Sequence, residues 1–179
     1  GQTSPRHLGD SAILVNKLKK LTKPKLMNLM GISQDLAALN VERYQNFEEK
    51  HDTTNSYSAL FTFNGDAYRG LDATSLSEKT IDYTQNHLRI LSGLYGILRP
   101  LDHMQPYRLE MGTKLPIRRK KNLYDFWGER PTQLLNEDIK ATKSQYLLNL
   151  ASDEYWSVID QSKLEVPVIK VNFREWRKG

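Results

Sequence analysis

The stretch from residue 88 to residue 112 (LRILSGLYGILRPLDHMQPYRLEMG) constrains the fold more than any other part of the chain. Its leucines and isoleucines make it apolar enough to be buried. Gly93, Gly96, Pro100 and Pro106 nevertheless interrupt it too often for one continuous helix. The pattern therefore predicts a buried segment that turns several times, around which the rest of the chain packs.

Three arginines lie within this apolar stretch, Arg89, Arg99 and Arg108, and it also contains Asp102 and Glu110. A guanidinium group in a protein interior needs a carboxylate or phosphate partner, because an isolated buried charge is costly. Two interpretations stay open. The stretch is either a buried turn held by arginine–carboxylate pairs, or the wall of a pocket whose arginines bind an anionic ligand.

Positive charge is concentrated in two segments. Residues 1–30 contain six basic residues and one acid, which accounts for the net charge of +5 of the whole chain. Residues 114–121 (KLPIRRKK) carry five basic side chains in eight positions. The second run is either a solvated loop tip or a second phosphate contact beside the first. The cations predicted to contact DNA are Lys19, Lys20, Lys23, Lys25, Lys114, Arg118, Arg119, Lys120 and Lys121.

Hydrophobic spacing and capping residues predict three helices near the N-terminus, over residues 10–21, 22–30 and 34–47, with Thr22 as an N-cap. Gly31, Ile32 and Ser33 form the bend between the second and third. This unit is a candidate helix-hairpin-helix, in which backbone N–H groups at a helix N-terminus bind phosphate. The alternative is an ordinary helix corner in the core.

Later segments alternate between strand and helix patterns, so the sequence predicts an α+β fold: a single compact domain with a mixed sheet and surrounding helices. Strands are predicted over residues 58–63, 146–150 and 166–173, the last followed by a basic, exposed tail. Helices are predicted after the capping pair Ser75 and Glu78, after Asn122 or Asp125 with a new piece at Pro131, and after Ser152.

Polar residues at predicted strand ends and turns suggest a second kind of site, a polar cleft cluster that would act on an anionic small molecule or nucleic acid. Carboxylates, arginines and a serine in one pocket suit acid–base chemistry more than simple scaffolding. An enzyme is therefore the alternative to a DNA-binding protein. The residues of this predicted cluster are Asp66, Arg69, Arg99, Arg108, Glu110, Ser152 and Glu154.

Several other kinds of site find no support in the sequence. It contains no cysteine, and its histidines, His7, His51, His87 and His103, show no ligand spacing, so neither a metal nor a cofactor is predicted. It also lacks a Gly-x-Ser-x-Gly motif and a phosphate-binding loop. No apolar run approaches the ~20 residues of a membrane helix. A cytoplasmic location is the expectation.

The segment GLYGILRPLDHMQPYRLEMGTKL (residues 93–115) resembles the YaaA family of bacterial peroxide stress proteins. Matching segments in the same order are LMGISQDLAALNVERY, FNGDAYRGL, NLYDFWGE and NLASDEY. Arg130-Pro131 departs from the apolar pair that the family would have there. The opening and closing segments typical of the family are absent, so residues 1–179 are expected to form one YaaA-like domain that is incomplete at both ends.

The resemblance implies a compact α+β fold that binds DNA through a helix-hairpin-helix and a basic cleft. It also implies a role in protecting DNA when peroxide and free iron threaten it. Scattered lysines on phosphates would bind DNA with little sequence preference, since nothing in the sequence resembles a recognition helix. Whether the protein has a catalytic activity stays open at this point.

Overall fold

The computed structural model describes residues 3–172, and it has the predicted α+β architecture. The helices are α1 Leu8–Leu18, α2 Lys23–Met30, α3 Gln34–Gln45, α4 Ala59–Thr62, α5 Asp66–Leu71, α6 Glu78–His87, α7 Leu123–Trp127, α8 Arg130–Thr142 and α9 Asp153–Trp156. The strands are β1 Tyr57–Ser58, β2 Ile90–Ser92, β3 Gly96–Leu98, β4 His103–Met104, β5 Leu147–Asn149 and β6 Val168–Lys170. Single 3₁₀ turns occur at Ala73–Ser75 and Gln161–Lys163.

The strands of this described part form three separate two-stranded sheets instead of the one mixed sheet expected from the sequence. β1 pairs with β4 and β2 pairs with β3, both antiparallel, whereas β5 and β6 are parallel. Each strand has only two or three residues, which is too short to recruit further neighbours. Helices and turns therefore supply most of the surface that covers the core.

The stretch that dominates the sequence folds into the buried β2–β3 hairpin and the irregular segment that follows it. Gly96 has φ 72°, a left-handed conformation that favours glycine, and a Cβ there would lie 3.0 Å from the Trp127 ring. The Trp127 indole donates a hydrogen bond of 3.0 Å to the Gly93 carbonyl. The hairpin is thus fixed against α7 at the centre of the core. Its fully buried side chains include Leu94, Tyr95, Ile97 and Leu98.

Two of the three arginines in this stretch are held by buried or half-buried carboxylates. Arg89 shares Asp138 of α8 with Arg6, at 2.5 and 2.8 Å. Burial raises the pKa of Asp138, but the hydrogen bonds from Arg89 and Arg6 outweigh it and lower the pKa below its ordinary value. Arg99 pairs with the fully buried Asp102. These contacts correspond to the first of the two interpretations, a turn held by ion pairs.

The N-terminal helices lie close to the positions predicted from the sequence. Thr22 precedes α2 in extended conformation, and Pro24 occupies its first turn. Gly31 ends α2 with φ 62°, and Ser33 caps α3 by accepting a hydrogen bond from the Leu36 N–H at 3.3 Å. The first helix begins two residues earlier than predicted and ends three residues earlier, at Leu18.

The strand predicted over residues 58–63 is wrong. Only Ser58 belongs to a strand, and residues 59–62 form the helical turn α4. Ala59 and Leu60 are both buried, although they are consecutive, because their N–H groups bond to the carbonyls of Asp102 and Pro100 at 2.9 Å. A strand would place one of these two side chains in solvent. The predicted cap of α6 also shifts, from Ser75 to Ser77, whose hydroxyl accepts from Thr80.

The C-terminal elements follow the prediction, with smaller extents. Asn122 caps α7, and α8 starts afresh at Arg130 with Pro131 in its first turn. β5 lies within residues 146–150, but Leu148 is 53% exposed, so the strand is less buried than predicted. β6 covers the middle of residues 166–173. The predicted exposure of the basic tail falls on residues outside the described part of the chain.

Burial of two histidines makes the fold sensitive to acid. Burial is the main cause that lowers the pKa of His7 and of His51, whose Nε2 lies 3.0 Å from the Tyr95 hydroxyl. In the unfolded chain both titrate near their ordinary pKa of about 6.5. Below that pH the unfolded state therefore binds more protons than the folded state, and stability is lost as the pH falls.

We expect the free energy of unfolding to decrease between about pH 7.5 and 5.5 in urea titrations. His51→Gln should reduce this pH dependence, because one of the two partly buried imidazoles with a lowered pKa is removed. His87→Gln is the matched control, since His87 is exposed on α6. Equal slopes for His51→Gln and the wild type would contradict the assignment of the acid sensitivity to buried histidine.

Candidate functional site

A surface groove runs between α1 and the loop of residues 114–121, the two basic segments singled out in the sequence. It consists of two neighbouring cavities, of about 370 and 290 Å³, that share Ile13, Ile117 and Arg118. We call it the basic groove. Its lining residues are Asp10, Ile13, Asn16, Lys17, Lys20, Ile117, Arg118, Arg119, Lys120, Phe126 and Arg130.

Helical spacing explains how α1 contributes to this groove. Asp10, Ile13 and Lys17 follow one another at intervals of three or four residues, so they lie on one face of α1, and Lys20 lies in the turn just after the helix ends. The opposite face, with Leu14 and Leu18, is fully buried. The core therefore fixes the orientation in which α1 presents Lys17 and Lys20 to solvent.

The other wall is a tight turn in an unfavourable backbone conformation. Ile117 and Lys120 pair through two backbone hydrogen bonds of 3.0 and 2.9 Å, which leaves Arg118 and Arg119 at the tip. Arg118 has φ 54°, in the left-handed region where a side chain costs roughly 1–2 kcal/mol. Glycine is the usual residue at such a position. Backbone strain of this kind is concentrated at functional sites, and the strained residue here is a cation that lines both cavities of the groove.

The charge of the groove is largely uncompensated. Among residues 3–172, none of Lys17, Lys20, Arg118, Arg119 and Lys120 forms an ion pair with a carboxylate. The one acid in the lining, Asp10, is 3.4 Å from Arg130 and 3.4 Å from the His7 imidazole. Six cations thus converge on one concave surface with a single, partly neutralised carboxylate. Such a surface attracts anions.

Arg130 forms the end of the groove next to α7. Its guanidinium carbon lies 5.1 Å from the centre of the Phe126 ring and 5.4 Å from that of Trp127, within the range of cation–π contacts. One terminal nitrogen donates to the Phe126 carbonyl. The buried Nε atom has no hydrogen-bond partner in the described structure. The guanidinium is therefore held as a flat, half-exposed group.

The other lysines predicted to contact DNA do not line the groove, and they differ in how exposed they are. Lys19 is half-buried, and its ammonium donates a hydrogen bond of 3.4 Å to the Phe47 carbonyl, so it is less available to a phosphate than the exposed lysines. Lys25 is exposed on α2, whereas Lys23 is half-buried. Lys114 and Lys121 are exposed at the two ends of the loop. They extend the positive surface without lining either cavity described above.

The bend at residues 31–33 joins α2 and α3 but shows no further mark of a DNA-binding hairpin. The N–H groups of Gly31 and Ile32 both donate to the Met27 carbonyl and are used within the bend. Ser33 occupies its cap position, and Asp35 adds a negative charge in the first turn of α3. The bend is exposed, so phosphate contact through it stays a prediction.

The predicted polar cleft cluster does not form one group, and four of its seven residues lie apart from the rest. Arg99 contacts Asp102 and the Ser4 carbonyl, at 2.9 and 3.1 Å. Asp66 and Arg69 pair with each other on the exposed surface of α5. Ser152 lies at the N-cap of α9 without a side-chain cap hydrogen bond.

Arg108, Glu110 and Glu154 are the members that come together, around Tyr155. Arg108 and Glu110 form a 2.8 Å ion pair, in which both side chains are about half exposed. Glu154 accepts a 2.8 Å hydrogen bond from the Gly112 N–H. Burial, followed by the nearby Glu154 and Glu110 charges, raises the pKa of Tyr155 to about 12. These three residues therefore form a surface-exposed ionic group beside a phenol that stays protonated at neutral pH.

Sequence reasoning missed several residues of the basic groove. Lys17 was counted in the basic segment but not in the site, although its spacing from Asp10 and Ile13 places it on their face. Arg130 was noted only as a departure from the family pattern, and Phe126 was expected in the core and not in a site. The helical spacing was a usable signal for Lys17. No local pattern could have shown that α8 begins beside α1, because that contact depends on tertiary packing.

Two absences apply to the described residues. Within them no three histidine, aspartate or glutamate side chains are grouped so that they could hold a metal ion. None of the helices in residues 3–172 is both long and apolar enough to cross a membrane.

The comparisons with known proteins agree on one family. A UPF0246 protein of Hahella chejuensis is 51% identical over 177 residues, which covers 99% of this chain and 69% of that protein. UPF0246 proteins of Paraburkholderia phytofirmans and Flavobacterium psychrophilum are 48% and 50% identical, and 69% of each is covered. The family described as "Peroxide stress protein YaaA" matches residues 1–179. The chain therefore belongs to the YaaA family of peroxide stress proteins.

Proposed function

We propose that this peroxide stress protein binds double-stranded DNA, with little sequence preference, through the basic groove. The observation that carries the proposal is the convergence of Lys17, Lys20 and residues 118–120 on one concave surface without carboxylate partners in the described chain. DNA presents one phosphate charge about every 1.7 Å along its axis, and unpaired cations at its surface release condensed counterions.

Phosphate contact, more than base reading, suits the side chains available. The rim of the groove carries lysines and arginines at the C-terminal end of α1 and on a two-residue turn, and such side chains suit phosphate contacts. Contacts of this kind position a protein on DNA but do not distinguish sequences. Binding would therefore protect any DNA segment equally, which matches the demand of peroxide damage.

The family membership links this binding to oxidative stress. Hydroxyl radicals formed from peroxide and iron attack DNA where the sugars are accessible, so a bound protein shields the segment that it covers. The test is a nicking assay with supercoiled DNA, Fe²⁺ and hydrogen peroxide, in the presence of the wild type or of a variant that does not bind DNA. Equal nicking with both would contradict protection by binding.

Binding itself is tested by fluorescence anisotropy with several labelled duplexes of unrelated sequence. We expect similar affinities for all of them and a linear decrease of log K with log salt between about 50 and 200 mM, with a slope of roughly −0.9 per phosphate contact. Strong preference for one sequence, or an affinity independent of salt, would contradict phosphate binding in the groove.

Arg118→Gly separates the role of this arginine in binding from its role in the fold. Glycine relieves the left-handed strain of the folded state but increases the conformational entropy of the unfolded state. The two effects oppose each other, so the free energy of unfolding should change by less than about 1 kcal/mol. The salt slope should become shallower by about 0.9, because one phosphate contact is lost. Arg69→Gly, at an exposed arginine of α5, is the control for loss of charge alone. Unchanged DNA binding by Arg118→Gly would remove this residue from the interface.

The enzyme alternative stays a prediction. Each arginine of the central stretch has a carboxylate partner, and Arg108 and Glu110 pair with each other at the surface. No arginine of that stretch is thus held free for a ligand within the described residues. The basic groove supports DNA binding more directly.

A further inference from the structure

We infer that the Arg130 end of the basic groove binds a free mononucleotide, with the base stacked on the Arg130 guanidinium and the phosphate held by the turn of residues 118–120. This inference goes beyond the proposed function, since it stands even if DNA does not bind along the groove. It rests on the chemistry of the larger cavity, of about 370 Å³.

The first argument is the way in which Arg130 is held. Its guanidinium lies against the Phe126 and Trp127 rings, and its edges are fixed by the Phe126 carbonyl and by Asp10, at 3.4 Å. The Arg130 side chain is 36% exposed, so part of this planar cation stays open to a ligand. Nucleobases stack on arginine guanidinium planes in this manner. A lysine at the same position would offer charge without a plane.

The second argument is the distribution of apolar and charged groups around the cavity. Ile13, Ile117 and the Phe126 ring form an apolar floor, and Arg118, Arg119 and Lys120 stand at the rim. An inorganic anion would use the rim and leave the floor empty, whereas an apolar ligand would leave the cations unpaired. A molecule with a flat ring and a phosphate uses both.

The third argument is size. Ligand pockets are usually about 300–1,000 Å³, so this cavity lies at the lower end and suits one nucleotide rather than a dinucleotide cofactor. Asp10 is the one carboxylate in the lining. It already contacts Arg130 and His7, and it is also an acceptor for an exocyclic amino group of a base. An adenine nucleotide is therefore the appropriate probe.

The experiment is calorimetric titration of the protein, without DNA, with AMP, adenosine, ribose 5-phosphate and inorganic phosphate. AMP should bind at least about 5-fold more tightly than ribose 5-phosphate, since stacking of one base contributes a factor of that order or more. Arg130→Lys should remove this advantage and leave the affinity for ribose 5-phosphate unchanged, because the charge is kept. Arg108→Lys is the matched control and should bind AMP as the wild type does.

Thermal melting of Arg130→Lys shows whether this variant is folded, and Arg118→Gly offers a second route, since it should weaken AMP and ribose 5-phosphate to the same extent. Equal affinities for AMP and ribose 5-phosphate, or no AMP binding at millimolar concentration, would overturn the inference. So would a single-stranded oligonucleotide that binds in an Arg130-dependent manner when AMP does not, because the pocket would then take residues of a strand. None of these outcomes decides whether duplex DNA binds, which the anisotropy titration measures separately.

Discussion

Asp102→Ala is expected to lower the free energy of unfolding by about 3–5 kcal/mol, the largest loss of stability among the changes considered for this protein. The Asp102 side chain is fully buried and accepts hydrogen bonds from the Thr3 hydroxyl at 2.6 Å and from the Arg99 backbone N–H at 2.8 Å. It also accepts two from the Arg99 guanidinium, at 3.1 and 2.9 Å. Alanine would leave a partly buried cation and two donors without partners, and would open a polar cavity beside the hairpin.

The contrast with Arg108→Ala makes this prediction specific. Arg108 pairs with Glu110 at the surface, with side-chain exposures of 41% and 52%, and exposed ion pairs contribute at most about 1 kcal/mol. Urea denaturation of both variants beside the wild type measures the difference. A loss below about 1 kcal/mol for Asp102→Ala would mean that the buried pair does not hold the turn. A loss as large for Arg108→Ala would mean that its ion pair is less exposed than the structure shows.

This contrast also explains why the sequence left two interpretations of the central stretch. It shows that Arg89, Arg99 and Arg108 lie in an apolar context, and that a carboxylate follows Arg99 by three residues. It cannot show that Arg89 meets Asp138, which is 49 positions away on α8. Because the stretch contains three arginines but only two acids, the ligand-binding interpretation stayed open, although the missing partner lies in another helix.

Local chemistry was enough to predict most helices. Thr22, Pro24, Gly31 and Ser33 specify where α2 and α3 begin and end, because caps and left-handed residues act over a few positions. The error at residues 58–63 has the opposite cause. A short apolar run is ambiguous between strand and helix, and contacts with the carbonyls of Pro100 and Asp102 decide it.

The candidate site was predicted in its charge but not in its shape. The two basic segments were both recognised, and cations from each line the groove. Its shape depends on packing between elements that are more than 100 residues apart in the chain. This packing places Ile13 of α1 beside Ile117 of the loop and Arg130 at one end of the groove. Neither composition nor spacing carries that information.

Replacement of Lys17, Lys20, Arg118 and Arg119 by glutamine is expected to abolish most DNA binding. If each contacts one phosphate, the slope of log K against log salt becomes shallower by about 3.6. With the affinity extrapolated to 1 M salt unchanged, log K at about 0.1 M salt should fall by about 3.6, between three and four orders of magnitude, for every duplex sequence. Stability should change little, because the four side chains are exposed.

The matched control removes the same number of charges away from the groove, by Lys50, Lys79, Lys140 and Lys143→Gln. Both variants carry a net charge four units below the wild-type value of +5, so any difference between them reflects position. Lys140 and Lys143 lie near the far end of α8, about 15–20 Å along the helix axis from Arg130. An equal fall in affinity for both variants would mean that net charge, and not the groove, attracts DNA.

Ser33→Glu in the same titration separates the groove from the bend between α2 and α3. If the groove carries the binding, a glutamate at this exposed cap should change the affinity by less than about a factor of two, since Ser33 does not line the groove and exposed charges are screened by salt. If the bend contacts phosphate, the added negative charge should weaken binding strongly, whereas loss of the Ser33 cap should lower stability by only about 1 kcal/mol. A strong loss with Ser33→Glu and none with the four groove substitutions would place the interface at the bend and contradict the groove.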